Sequence, residues 1–185
     1  MKRPRKARGL RPDFYFRRVL HITPAWLREQ GIAGLILDID NTITRWEQPV
    51  VPDAELAWLA AIQAAGIRCR LLSNGLPRKK AAVVRQTGIA HVSGVFVKPL
   101  RRAFRQGLAD LEVPAGQAMM IGDSVFTDVV AANRLGIWTC LVDPLSPVDF
   151  LGSKLYRLLE DVFRLRRAAH PAHDYRHMET DVTSG

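Results

Sequence analysis

Residues 35–42 read Leu35-Ile36-Leu37-Asp38-Ile39-Asp40-Asn41-Thr42, and the reading of this stretch decides the fold. A short apolar run, entered through Gly31 and Gly34, is expected to be a strand from Leu35 to Asp40 that is buried and ends in carboxylates. A carboxylate at the end of a buried strand is costly unless it is paired or holds a cation. Two of them, two residues apart, therefore point to a site at the carboxyl end of that strand.

The same grammar repeats outward from this stretch. Pro52-Asp53 opens a helix whose apolar face is Leu56, Leu59, Ala60 and Ile62, and Gly66 closes it. A second strand, Ile67 to Leu72, runs into Ser73-Asn74-Gly75, and Pro77 starts a helix to Gly88. A strand-like Val92–Val97 precedes Lys98-Pro99 and a helix from Leu100 to Leu111. Ala118–Ile121 is another strand, ending in Gly122-Asp123, and a helix is expected from Thr127 to Leu135. Ile137–Val142 is the last strand, ending in Asp143-Pro144, and an amphipathic helix is expected from Ser153 to Ala169. Strands alternating with helices of 10–15 residues mean βαβ units and a parallel sheet, so the class is α/β. In such sheets ligands bind beyond the carboxyl ends of the strands, where Asp38, Asp40, Ser73, Asn74, Asp123 and Asp143 all fall.

Ahead of the first strand, residues 13–30 are expected to form a helical or extended lead-in, with Trp26 and Leu27 packed on the body and Phe14, Tyr15 and Phe16 exposed. The chain of 185 residues has 48% hydrophobic and 24% charged residues, which excludes a disordered chain, a collagen-like chain and a disulfide scaffold. Its length suits one catalytic domain, expected over 13–169, between a basic disordered arm (1–12) and a flexible tail (170–185). Cys69 and Cys140 each sit in an apolar run and read as buried thiols. No apolar run is long enough to span a bilayer, and the basic N-terminus is not followed by an apolar signal core, so no signal peptide or transmembrane segment is expected. The expected location is cytoplasmic, peripheral at the inner face of a membrane if the arm binds there. The net charge of +9 is concentrated: residues 1–20 carry eight Lys/Arg against Asp13 alone. Such an arm is either a solvated tail or a contact for nucleic acid or an anionic membrane.

Asp38, Asp40, Asp123 and Asp128 together suggest a cation, and hard oxygen ligands point to Mg²⁺. A calcium loop is excluded because position six of Asp38-x-Asp40-x-Thr42 is Ile43 rather than glycine. No glycine-rich nucleotide loop exists in the sequence. With a metal in place the remaining residues suit phosphoryl transfer. One carboxylate attacks phosphorus, a second serves as acid and base, and Ser73 and Lys98 hold the phosphate oxygens. The rival reading is a non-catalytic binding module that uses the arm, which leaves Asp38, Asp40, Lys98 and Asp123 together without a purpose.

Four pieces in order, Asp38-Ile39-Asp40-Asn41-Thr42, Ser73-Asn74, Lys98-Pro99 and Gly122-Asp123-Ser124-x-x-Thr127-Asp128, resemble the motifs of the haloacid dehalogenase (HAD) superfamily. The chain is most similar to its IIIA subclass and, within that, to the YqeG-like phosphatases, over roughly Leu10 to Arg167. Arg11-Pro12-Asp13 and Asn133-Arg134-Leu135-Gly136 belong to the same resemblance. It implies a three-layer, Rossmann-like, doubly wound parallel sheet. It also implies roles: Asp38 as nucleophile and metal ligand, and Asp40 as general acid and base with its carbonyl on the metal. Ser73 and Lys98 would bind phosphate with support from Thr42 and Asn74, and Asp123 and Asp128 would hold Mg²⁺. Ser124 departs from the glutamine that relatives commonly carry.

Between Asp40 and Ser73 lie one helix and one strand, and the same holds between Ser73 and Lys98, so neither interval holds a cap domain. At most residues 44–51, with Trp46, form a small flap. An open site leaves the substrate or a partner to exclude water. The resemblance points to phosphatidylglycerophosphate; a polynucleotide end or a phosphoprotein are the alternatives. The C-terminal helix could lie on the same membrane, and His170, His173 and His177 read as part of the tail.

Overall fold

The computed structural model describes residues 9–46, 48–92 and 98–146. Five strands form one sheet in the order β1-β5-β4-β2-β3: β1 Phe14–Phe16, β2 Gly34–Leu37, β3 Arg68–Leu71, β4 Ala118–Gly122 and β5 Trp138–Val142. Every pairing is parallel. Strand β2 has a neighbour on each side, in register Leu35 with Cys69 and Met119, and Leu37 with Leu71 and Ile121. All four of its residues are buried, which is why the run is apolar without alternation.

The pleat sends alternate side chains to opposite faces. Leu35 and Leu37 join a core with Met119, Ile121, Trp58, Leu59 and Ile62. Ile36 joins another with Met120, Phe104, Leu111 and Ala132. Helices α1 (Pro24–Glu29), α2 (Asp53–Ala64) and α3 (Pro77–Thr87) contribute to the first core, and α4 (Arg101–Leu111) and α5 (Val130–Asn133) to the second. The result is the three-layer doubly wound arrangement that the family resemblance implies. The chain passes from β2 outward to β3, then returns to β4 on the other side of β2. This reversal makes a topological switch point between the carboxyl ends of β2 and β4, where open α/β sheets bind their ligands.

The lead-in differs from the expectation. Phe14 and Phe16 are 4% and 3% exposed, not surface aromatics. They form the edge strand β1 against β5, and both rings pack edge-on against Trp26, with centroids 4.9 and 5.0 Å away. The physical reason is side-chain pairing across the fold. Thr139 N–H donates to Asp13 Oδ2 at 2.9 Å, and Asp13 N–H donates to Thr139 Oγ1 at 3.0 Å. Asn133 Nδ2 donates to the carbonyls of Gly9 and Arg11 at 3.0 and 2.9 Å. The two flanking pieces of the family resemblance are thereby a single clamp. Trp26 and Leu27 pack on the body as expected.

The helix expected over Thr127–Leu135 starts and ends two residues earlier, as a π-helical turn, Val125–Val129, that runs into α5. Of the expected Val92–Val97 strand only Val92 is among the described residues, and the residue before it, His91, bridges Leu71 in parallel. Residues 1–8 of the arm, the Ser153–Ala169 helix, the three tail histidines and the tail itself lie outside the described residues. Among the described residues no helix is long and apolar enough to cross a membrane.

Candidate active site

Asp38 is the residue after β2, and its N–H still bonds to Ile121 O at 3.0 Å. The ladder then ends. The Ile39 carbonyl accepts from the N–H groups of Ile43 and Thr44 at 3.2 and 3.0 Å. Asn41 takes a left-handed φ of 60°, a conformation that asparagine tolerates better than most residues. This turn separates the two aspartates that a continuing strand would hold on one face.

Asp38 meets Lys98. The ammonium of Lys98 lies 2.6 Å from Asp38 Oδ1 and 2.7 Å from Asp128 Oδ1. Asp38, Lys98, Asp123 and Asp128 are 5%, 6%, 7% and 0% exposed. Asp128 Oδ2 also accepts the Ser124 N–H at 3.2 Å. Gly122 makes room for this carboxylate, since a Cβ there would stand 2.2 Å from Asp128 Oδ2. Lys98 is itself held from the next loop by a reciprocal pair: its N–H donates to Asn74 Oδ1 at 2.7 Å, and Asn74 Nδ2 donates to its carbonyl at 2.9 Å.

Asp40 faces a different set. Ser73 Oγ donates to Asp40 Oδ2 at 2.8 Å, and Gly75 N–H donates to Ser73 Oγ at 2.9 Å. A Cβ on Gly75 would lie 2.6 Å from Asp40 Oδ2, so this turn accepts only glycine without rearrangement. Lys79, from the first turn of α3, reaches Asp40 Oδ1 at 2.6 Å and also donates to the carbonyls of Arg45 and Trp46, both at 2.9 Å. The flap expected over 44–51 is therefore tied to Asp40 through one ammonium. Thr42 Oγ1 is buried and finds no hydrogen-bond partner among the described residues.

Sequence reasoning missed two contributors. Lys79 carries no local signal, because an Arg-Lys-Lys run at a helix start reads as a solvated face. His91 accepts the Ser73 N–H at Nε2, 3.2 Å away, so its proton sits on Nδ1, which donates to Val92 O at 3.0 Å. The structure brings Asp38, Lys98, Asp123 and Asp128 into one cluster, Asp40 and Ser73 into a second, and Asn74 to Lys98, while Thr42 is buried in the turn after Asp40 and touches none of them through a hydrogen bond among the described residues.

The electrostatics follow from burial. Burial pushes the Asp38 carboxyl well above the usual carboxylate range, and the nearby Asp128 and Asp123 add to the push against the pull of Lys98. Burial also disfavours the Lys98 ammonium, but the Asp128 and Asp38 carboxylates together outweigh it and hold its pKa above the ordinary value. His91 is lowered, chiefly by burial, with Lys80 and Lys98 contributing.

Oxygens of Asp38, Asp123 and Asp128 lie within 4.8 Å of one another. Against Lys98 alone, three carboxylates leave a formal charge of −2 in a buried site, which one divalent cation neutralises. The donor set is all hard oxygen, so the residues fit Mg²⁺.

A buried acid cluster with one lysine, placed at the switch point of a parallel sheet, is an arrangement suited to phosphoryl transfer. Residues 15–136 match the family of haloacid dehalogenase-like hydrolases, and the chain belongs to that family. Among individual relatives, the chain is 30% identical over 161 residues to the Probable phosphatase YqeG of Bacillus subtilis (strain 168), covering 86% of this chain and 93% of that protein. It is 28% identical over 168 residues to the chloroplastic Phosphatidylglycerophosphate phosphatase 1 of Chlamydomonas reinhardtii; 86% of this chain matches, over 62% of the relative's length. The solved structure of a predicted HAD-like family hydrolase from Porphyromonas gingivalis shares the fold, with a TM-score of 0.52 at 14% identity over 69% of this chain and 98% of that one.

Proposed function

We propose that this HAD-family phosphatase is a Mg²⁺-dependent phosphomonoester hydrolase that works through an aspartyl-phosphate on Asp38, and that its substrate is phosphatidylglycerophosphate. The observation that carries the chemistry is the separation of two carboxylates into two settings: Asp38 against Lys98 and the acid cluster, and Asp40 against Ser73 and Lys79. The substrate reading is supported by relatives named as phosphatidylglycerophosphate phosphatases, in Chlamydomonas reinhardtii and in Arabidopsis thaliana, and by intervals too short to hold a cap domain.

Asp38, Asp123 and Asp128, with the Asp40 carbonyl, would hold Mg²⁺, which when bound supplies positive charge to the phosphate oxygens. Lys98, Ser73 and Thr42 bind the phosphate, and Asn74 positions Lys98. An oxygen of Asp38 forms a bond to phosphorus as the bond from phosphorus to the glycerol oxygen breaks. Asp40 gives its proton to that oxygen, so phosphatidylglycerol leaves neutral at its new hydroxyl. Asp40 then takes a proton from water as the water oxygen attacks phosphorus. Inorganic phosphate departs and the Asp38 carboxylate is restored. The catalytic unit is a single domain over 13–169, flanked by the basic arm and the tail, and it works in the cytoplasm at the inner face of the membrane.

The test is phosphate release from phosphatidylglycerophosphate in mixed vesicles, with Mg²⁺ or chelator, for wild type and Asp38→Asn. Release that needs both Mg²⁺ and Asp38 is the expected result. No release from vesicles alongside turnover of a generic phosphoester would keep the chemistry and refute the substrate. Turnover in Asp38→Asn near wild type would refute the nucleophile.

A further inference from the structure

Four large apolar side chains are exposed among the described residues, and two of them, Leu76 and Leu100, occupy matched places at 76% and 53% exposure. Each is the N-cap of a helix, α3 and α4 respectively. Each lies two residues beyond a member of the Asn74–Lys98 reciprocal pair. Two residues of chain reach no more than about 7 Å, so both leucines flank the loops that hold Ser73 and Lys98. One exposed leucine means nothing by itself. These two lie on opposite sides of the site entrance, because α3 packs on one face of the sheet and α4 on the other.

The stretch of chain that carries them is charged with one sign. From Asn74 to Ala109 there is no acidic residue, and eight are Lys or Arg. Arg78 and Arg101 follow the two leucines closely and are exposed, as is Arg45 on the flap. Apolar tips set in a cationic rim are complementary to an anionic bilayer, where the tips leave water for acyl chains and the cations meet head groups.

We propose that the rim of the active site is itself the membrane-docking surface, with Leu76 and Leu100 inserted into the bilayer and Arg78 and Arg101 on anionic head groups. This rests on the phospholipid reading above and moves the membrane contact from the N-terminal arm to the entrance. It also makes the bilayer the closure that a cap domain provides elsewhere: the phosphate enters as the leucines seat, and water is excluded around Asp38 and Asp40.

The experiment uses the full chain and compares wild type with Leu76→Ser/Leu100→Ser and with Arg78→Glu/Arg101→Glu. Serine is a preferred N-cap, so the first pair does not weaken either helix. Co-sedimentation is measured on vesicles of phosphatidylcholine alone and of phosphatidylcholine with phosphatidylglycerol. Turnover is measured on para-nitrophenyl phosphate and on vesicle-borne phosphatidylglycerophosphate. Wild type is expected to bind only the anionic vesicles. The leucine pair should lower that binding by roughly tenfold for each leucine removed, and the arginine pair should abolish the preference for anionic vesicles. Turnover of para-nitrophenyl phosphate should stay unchanged for the leucine pair while vesicle turnover falls with binding.

Undiminished vesicle binding by the leucine pair would overturn the proposal. So would binding lost only on removal of residues 1–8, or no wild-type binding to anionic vesicles together with arginine-dependent binding of a single-stranded oligonucleotide. Leucine-dependent binding without phosphate release from the lipid would uphold the docking surface and refute the substrate. Lipid turnover with leucine-independent binding would do the reverse.

Discussion

Gly122→Ala is the substitution whose consequence the geometry works out most fully. The new methyl would stand 2.2 Å from Asp128 Oδ2, 2.6 Å from its Cγ and 3.0 Å from its Cβ. Asp128 is fully buried, so its side chain has no solvent to retreat into. To relieve the clash it must give up the Lys98 ammonium at 2.7 Å or the Ser124 N–H at 3.2 Å. Overpacking costs about 1–3 kcal/mol, and a severed buried ion pair costs about 3–5 kcal/mol when one charge is stranded. Lys98 keeps Asp38 as a partner, so the second cost is partial, and a total of about 3 kcal/mol is expected. At roughly 2–4 °C for each kcal/mol in a chain of this size, the melting temperature should fall by about 6–12 °C. Turnover should fall at least tenfold, as it does when a residue supporting a metal site is disturbed. The diagnostic is a double-mutant cycle with Asp128→Ala, followed by thermal melts. In the Asp128→Ala background only the 3.0 Å approach to Cβ remains, so Gly122→Ala should cost about 1 kcal/mol there, a coupling well above the additivity error of distant sites. An equal cost in both backgrounds would refute the reasoning, because it would place the penalty in the strand and not at the carboxylate.

Three further outcomes are expected. Arg18→Met removes the cation paired with Glu55, which is 0% exposed and has one carboxylate oxygen without a partner among the described residues; destabilisation of about 2–3 kcal/mol by urea unfolding, largely reversed in Arg18→Met/Glu55→Met, checks this. The folded pKa of His91 lies below its ordinary 6.5, so folding releases protons between the two values. Stability from this group is present above pH 6.5 and is lost as pH falls through the folded pKa. His91→Gln should flatten that part of the pH–stability curve and lower kcat on a soluble phosphoester, since the Ser73 N–H acceptor is disturbed; a curve unchanged in the variant would contradict the assignment. Burial pushes the Cys69 thiol up to about 12 and the Cys140 thiol up as well, so neither should react with iodoacetamide at pH 8 in the native protein, and both should react in urea, as read by intact mass.

The strands and helices that carry the site were legible because each announces itself locally. Leu35–Leu37 is a short run apolar at every position, and helices α2 and α3 open at Pro-Asp and at Pro and close at glycine. The four polar motifs sit where those strands end, and their order resembles a known family's. The structure groups them as that order implies, with Asp38, Asp123 and Asp128 within 4.8 Å.

Other features had no local signal. Phe14-Tyr15-Phe16 is too short for its alternation to register beside a basic arm. It became a strand because Asp13 pairs with Thr139, 126 positions away. Lys79 joins Asp40 across 39 positions, and His91 joins Ser73 across 18. A sequence by itself determines periodicity, punctuation and the residue types that a reaction needs, because these act over one helical turn or one pleat. Which ammonium meets which carboxylate, which ring nitrogen receives an N–H, and which exposed leucines end up flanking one entrance depend on crossovers between distant strands. Those contacts exist only once the sheet has formed, so only the tertiary structure decided them.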